Sequence, residues 1–417
     1  MTTPASRNPF KHLRTTDIRG IAQLATQATT GVTRIAEGVH QSVLGTLGIS
    51  GGKSPGQTRG ITGLIYKSIQ EIAQLVGRST DFVLAGLQPL FESAEESRPG
   101  TPEREAILAA LNGVMGDRLV AGNNAFATPM TLRYQDEPMD WQKLPPMPEV
   151  SSKVVLLIHG LCLNDLKRHA QHLGHEVEQG AALASALGFT PVYLRYNSGL
   201  HTSENGRELS AQLEQLVTHW PTAIEQLTVV AHSMGGLVIR SAYHCARQDG
   251  LSWPDQLKNI VFLGTPHHGA PLEKAGNFLN IILGCTPYTR PFTTLGRLRS
   301  SGITDLRYGH LLDADWQGHD RFHHKPDSRQ LVPLPEEVAC YTVAATLAAK
   351  RNALADRLIG DGLVPLHSAL GHHDDPQRTL EFSEQSQWIA YRMNHMELLN
   401  SPEVTRQIVQ WLAPSRC

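Results

Sequence analysis

The chain has 417 residues, enough for one large domain with an accessory segment or for two domains of ordinary size, and so enough to bury a site. Its 37 Lys and Arg against 39 Asp and Glu leave a formal charge of -2, which excludes a global pull toward nucleic acid or an anionic membrane. Five scattered cysteines without a C-x-x-C pair read as reduced thiols; no run of about 18 apolar residues offers a membrane span, and the N-terminus lacks the apolar core of a secretory signal, so the expected address is the cytoplasm.

Residues 1–98 read as a helical extension. Ile18, Ile21, Ala25, Ala28, Val32, Ile35, Val39, Val43 and Leu47 recur every three or four residues, and a second series runs from Ile61 through Leu64, Ile65, Ile69, Ile72, Leu75, Val76, Val83 and Leu87. The linker GISGGKSPGQTRG separates them. Its GGKS is not a phosphate loop, because the first glycine that motif requires would fall on Leu47; it is a hinge. Two such amphipathic faces need a cover: the rest of the chain, a second copy, or a lipid surface. Packing on protein is the first expectation, since the first series has few large apolar residues and no basic stripe. Peripheral contact with a membrane or lipid granule is the second, and the sequence does not set an oligomeric state.

Residues 99–152 read as a helix, EREAILAALNGVMGDRL, followed by an extended linker. From Lys153 the character changes. KVVLLIHG is a short β-branched run; a helix follows over 176–187, then the strand PVYLRYNS, a helix over 203–219, the strand LTVVAHS with the helix MGGLVIRSAYHCA, and the strand LKNIVFLGTP. After an irregular insertion at about 271–335 come ACYTVAATL, SQWIAYRMNH and a last helix EVTRQIVQWLA. This alternation predicts an α/β fold, a mostly parallel sheet flanked by helices, over 153–417. In such sheets reacting groups sit on the loops at the carboxyl ends of strands.

Ser233 falls at such a point. Residues 227–238 read LTVVAHSMGGLV, so the serine ends a strand and opens a helix, on a crowded turn where residues two before and two after must be small. Ala231 and Gly235 satisfy that. A serine needs a base from another strand's loop, and among 20 histidines His395 stands where chain order puts it, after the last strand and before the last helix. The acid belongs on the loop after the preceding strand, between ACYTVAATL and SQWIAYRM: Asp361, on the Gly-flanked turn LIGDGLVP, is favoured over Asp356, Asp374 and Asp375. The oxyanion needs backbone N–H donors, expected at Leu161 in HGLCLND and at Met234 after the serine. His267 and His268 are expected to line a pocket beside the GTP turn. None of the histidine pairs has a compelling metal-ligand spacing, so no metal and no cofactor is expected.

LLIHGL, VVAHSMGG, LGTPHHGAP, GDGLVP and YRMNH, in this order, resemble the α/β-hydrolase lipases, especially bacterial triacylglycerol lipases and the GPI-inositol-deacylase-like group. The resemblance spans residues 153–413. It implies the α/β-hydrolase fold with a cap or lid in the insertion, Ser233 as nucleophile, Asp361 as acid, His395 as base, and Leu161 and Met234 as oxyanion donors. Relatives that hold a structural calcium often place an aspartate where this chain has Glu397, so that site is not expected here. The implied activity is a serine carboxylic ester hydrolase acting on ester or lipid substrates. The alternatives are an acyltransferase, an intracellular polyester depolymerase, or a lipid-surface scaffold without catalysis.

Overall fold

The computed structural model describes residues 102–142, 150–165, 178–270, 299–318, 327–349 and 360–414. The helical extension at 1–98, Asp356 and the first part of the insertion, 271–298, lie outside the described residues.

Eight strands form one sheet in the order β2-β1-β4-β3-β5-β6-β7-β8. They are β1 (Thr131–Tyr134), β2 (Glu137–Pro138), β3 (Lys153–Ile158), β4 (Thr190–Arg195), β5 (Gln226–His232), β6 (Leu257–Leu263), β7 (Ala339–Thr346) and β8 (Gln387–Tyr391). From β4 to β8 all pairings are parallel, whereas β1 runs antiparallel to β4 and pairs with β2 as a hairpin. The helices are α1 (Pro102–Ala121), α2 (Gln179–Leu187), α3 (Thr202–His219), α4 (Met234–Asp249), α5 (Ser301–Asp305), α6 (Asp313–Trp316), α7 (Leu366–Ala369) and α8 (Pro402–Leu412).

Side chains alternate across a strand, so each buried strand feeds two cores. Val154, Leu156 and Ile158 of β3, with Leu227, Val229 and Ala231 of β5, face Leu209, Leu213 and Leu216 of α3 and Leu237 and Val238 of α4. Val155, Val230, Val261 and Val343 face the other way, onto Leu183 of α2 and Val404, Ile408 and Leu412 of α8. The helices start where the sequence supplies caps: the Glu178 carboxylate accepts from the N–H of Gly180 and Ala181, and Ser401 caps α8 with Pro402 in its first turn. Gly188 and Gly250 end α2 and α4 in the left-handed conformation that such C-caps need.

Two regions differ from the expectation. Residues 102–142, read as a helix and linker before the sheet, belong to it: β1 adds to its edge, and Leu111, Val114 and Leu119 of α1 are buried in the α3–α4 core. The later part of the insertion is anchored as well. Ile303 and Leu306 are fully buried, each burial stabilising the docked position by about 1.5–3 kcal/mol, and the Ser300 hydroxyl donates to the Gly113 carbonyl of α1 at 2.6 Å.

Candidate active site

The parallel strands end on one edge of the sheet, and the site residues collect there: Leu161 after β3, Ser233 after β5, Asp361 between β7 and β8, His395 after β8. Ser233 has φ 54° and ψ -122°, a left-handed φ that costs a non-glycine residue on the order of 1–3 kcal/mol. Hydrogen bonds on both sides fix it: the Ser233 N–H donates to the Leu263 carbonyl at 2.8 Å, and the Gly236 N–H donates to the Ser233 carbonyl at 3.1 Å. Crowding accounts for the small neighbours. Ala231 is fully buried; a Cβ at Gly235 would lie 2.7 Å from Ile158 Cγ2, and one at Gly236 would lie 2.1 Å from Thr265 Oγ1.

Asp361 and His395 meet directly. One Asp361 oxygen (Oδ2) lies 2.6 Å from His395 Nδ1, while the other (Oδ1) accepts from the N–H groups of Leu363 at 2.9 Å and Val364 at 2.7 Å. The His395 N–H also donates to the Asp361 carbonyl at 3.2 Å. A carboxylate only accepts, so the proton of His395 sits on Nδ1 and Nε2 keeps its lone pair. The turn depends on Gly360, which has φ 49° and where a Cβ would come within 2.0 Å of the Val364 carbonyl oxygen. The competing Asp375 instead caps a surface turn through the Gln377 N–H, with its side chain about half exposed.

Ser233 Oγ and His395 Nε2 are both buried and have no hydrogen-bond partner, so they are not bonded to each other in this state. Two elements keep the residues adjacent. The end of β6 touches both, since Leu263 receives the Ser233 N–H and a Cβ at Gly264 would lie 3.0 Å from His395 Nδ1. His232, beside Ser233 in the chain, sets its ring centroid 4.6 Å from that of His395 and places Nε2 3.1 Å from the His395 carbonyl oxygen. Burial, followed by the nearby His395, holds His232 well below the usual histidine range and so neutral.

Among the described residues nothing accepts a hydrogen bond from the N–H of Leu161 or of Met234, and both side chains are buried. The loop carrying Leu161 passes so close to the serine that a Cβ at Gly160 would lie 2.9 Å from Ser233 Cβ. Residues at the end of β4 hold this loop, which sequence reading did not anticipate: the Tyr196 hydroxyl donates to the His159 carbonyl at 2.9 Å, its ring stacks on His159 at 4.4 Å, and Ser198 Oγ accepts from the Cys162 N–H at 3.0 Å. Burial lowers His159 to about 4, leaving a neutral ring beneath the loop. The polar cluster Tyr196, Asn197, Ser198 at a strand end was the available signal.

His267 and His268 do line a cleft, which is shared with Arg240, Arg329 and Arg378. Glu397 accepts a hydrogen bond from the Asn394 N–H at 2.7 Å. Among the described residues no group of three or more His, Cys, Asp or Glu is disposed to hold a metal ion, and no helix is long and apolar enough to cross a membrane.

The chain matches the family described as PGAP1-like alpha/beta domain over residues 149–328, less than half of its length. Among solved structures it is similar to Bacillus licheniformis lipase BlEst2 in mature form, at 16% identity and a TM-score of 0.37, covering 68% of this chain and 98% of that one. It is also similar to an esterase of Pyrobaculum calidifontis, at 14% identity and a TM-score of 0.39, covering 78% of this chain and 96% of that one. A third is Aspergillus fumigatus lipase B, at 10% identity and a TM-score of 0.39, covering 94% and 84%. No curated protein matches the sequence. The family match and the strand order agree with the resemblance to α/β-hydrolase serine esterases and lipases that the motifs carry, and the fold is the α/β-hydrolase fold.

Proposed function

We propose that the chain is a serine hydrolase that cleaves carboxylic esters, with lipid esters as its substrate class, through Ser233, His395 and Asp361. The observation that carries this reading is the buried 2.6 Å contact between Asp361 and His395 Nδ1 beside a serine held at positive φ. A structural serine has no need of a strained turn, and a structural histidine has no need of a buried carboxylate that fixes its tautomer. The lipid part rests on the resemblance of the motifs to lipases.

Substrate entry brings Ser233 Oγ within reach of His395 Nε2, a contact that commonly tightens only with substrate bound. Nε2 takes the hydroxyl proton as Oγ attacks the ester carbonyl. The N–H groups of Leu161 and Met234 receive the oxyanion, and the N-terminal end of α4 adds a favourable potential. The imidazolium, stabilised by Asp361, gives its proton to the departing alcohol and leaves an acyl-Ser233. Water then attacks with His395 again as base, releasing the acid and restoring the serine. An alcohol in place of that water would make the same site an acyltransferase.

A fluorophosphonate probe tests the reading. Wild-type protein should be labelled at Ser233, Ser233→Ala should not, and an ester panel should show turnover lost in the same variant. A folded wild-type chain that is neither labelled nor active on short or long esters, with or without a lipid interface, would return the fold to the scaffold reading.

A further inference from the structure

A cleft lined by Arg240, His267, His268, Arg329 and Arg378 is rich in donors. Arg240, two turns along α4 from Ser233, is 5% exposed, and among the described residues no carboxylate pairs with it. Its two terminal nitrogens reach neutral acceptors, the Val332 carbonyl at 2.5 Å and His267 Nδ1 at 3.3 Å, and its Nε–H has no partner among the described residues. Burial pulls Arg240 down to about 9, so it stays charged at neutral pH. The neighbour that favours its charge, Cys340, is itself pushed by burial to about 12 and stays a neutral thiol.

His267 adds a second orphan donor. A guanidinium cannot accept, so Nδ1 holds its lone pair toward Arg240 and the ring proton sits on Nε2. Among the described residues that Nε2–H, in a residue 1% exposed, has no acceptor. The acids nearby are committed elsewhere. Asp315 accepts from the N–H groups of Leu311, Leu312 and Gln330, and Asp327 is shared by Arg329 at 2.7 Å and Arg378 at 3.6 Å. Three guanidiniums line the cleft against one lining carboxylate, Asp315, and both orphans are donors. An isolated buried cation is costly, and so is its unpaired N–H. A ligand that only accepts and carries negative charge relieves both costs at Arg240.

We propose that this cleft binds a small oxyanion, a carboxylate or a phosphate group, on the buried Arg240 guanidinium, with Arg378 on the same lining. The site is separate from the oxyanion hole and carries no reaction step. A planar guanidinium presents its donors in a fixed fork that matches an oxyanion, which selects oxyanions over chloride.

Calorimetric titration of the full chain with inorganic phosphate, and separately with acetate, at constant ionic strength set by chloride, tests this. One saturable site is expected, weakened about tenfold to a hundredfold in Arg240→Gln and by a smaller factor in Arg378→Ala. Tighter binding of phosphate would assign a phosphoryl ligand and tighter binding of acetate a carboxylate. Absence of saturable binding by the wild type to either anion overturns the proposal. So does undiminished affinity in Arg378→Ala together with a folded Arg240→Gln; if Arg240→Gln does not fold, undiminished affinity in Arg378→Ala alone overturns it.

Discussion

Replacing Asp361 with asparagine leaves the shape of the site and reverses its proton logic. One Asp361 oxygen is committed to the N–H groups of Leu363 and Val364, and the other faces His395 Nδ1. An asparagine has one oxygen to give. Kept toward Leu363 and Val364, it turns its NH2 toward Nδ1, and the imidazole must then carry its proton on Nε2, where it cannot take one from Ser233. Flipped the other way, it leaves two buried N–H groups facing a donor, at about 1–3 kcal/mol each. The unproductive arrangement is thus favoured by roughly 2–6 kcal/mol; at about 1.4 kcal/mol per tenfold the central value corresponds to about a thousandfold loss in kcat/KM. Loss of the counter-charge to the imidazolium adds to it. The assay is hydrolysis of a soluble p-nitrophenyl ester, with circular dichroism to confirm that the variant is folded. Asp375→Asn, at a surface turn, serves as the control and should stay within twofold of wild type. An Asp361→Asn enzyme within tenfold of wild type would refute both the assignment of the acid and the tautomer argument behind it.

Two further outcomes follow from packing and burial. Gly236→Ala places a Cβ 2.1 Å from Thr265 Oγ1, so α4 must shift or the threonine must turn; destabilisation by about 1–3 kcal/mol, read as a lower midpoint in urea, is expected along with reduced turnover. Burial lowers His159 to about 4 and His268 to about 3, and holds His232 and His267 well below the usual range. Each of these folded-state values lies below its unfolded value, so the stability they contribute is fully present above about pH 6.5 and is lost as pH falls toward the folded values. His159 alone accounts for about 3 kcal/mol over that window. Equilibrium unfolding measured from pH 7 to pH 4 should show stability falling steeply with pH; a flat profile across that range would refute neutral burial.

Much of this was legible because it is local. The β-branched runs of β3, β5 and β6 lie between helix caps and turns, and their burial on both faces makes them continuous apolar words. Ser233, Asp361 and His395 follow strands in a chain order that a parallel sheet converts into proximity. Gly235 and the Gly-flanked turn at Asp361 announced close approaches that the structure then displays. What escaped was set by contacts distant in sequence. The hairpin β1–β2 has strands of only four and two residues, and its place at the sheet edge is decided by pairing with β4, far along the chain. The anchoring of residues 299–318 rests on single serines and on Ile303 and Leu306, which carry no periodic signal. The arginine cleft joins α4 to loops near Arg329 and Arg378, and no reading of charge along the chain brings those together.

β8 is five residues long and forms one edge of the sheet, paired among the described residues only to β7. His395 hangs from its end, whereas Ser233 stands on β5 in the middle. Edge strands open at lower free energy than central ones, so the first part of the proposed site to come apart is its base. Turnover by the proposed mechanism would therefore report on this edge strand: under mild denaturant activity should fall while the sheet is still folded, and a ligand that clamps the β7–β8 edge should preserve turnover without touching the serine.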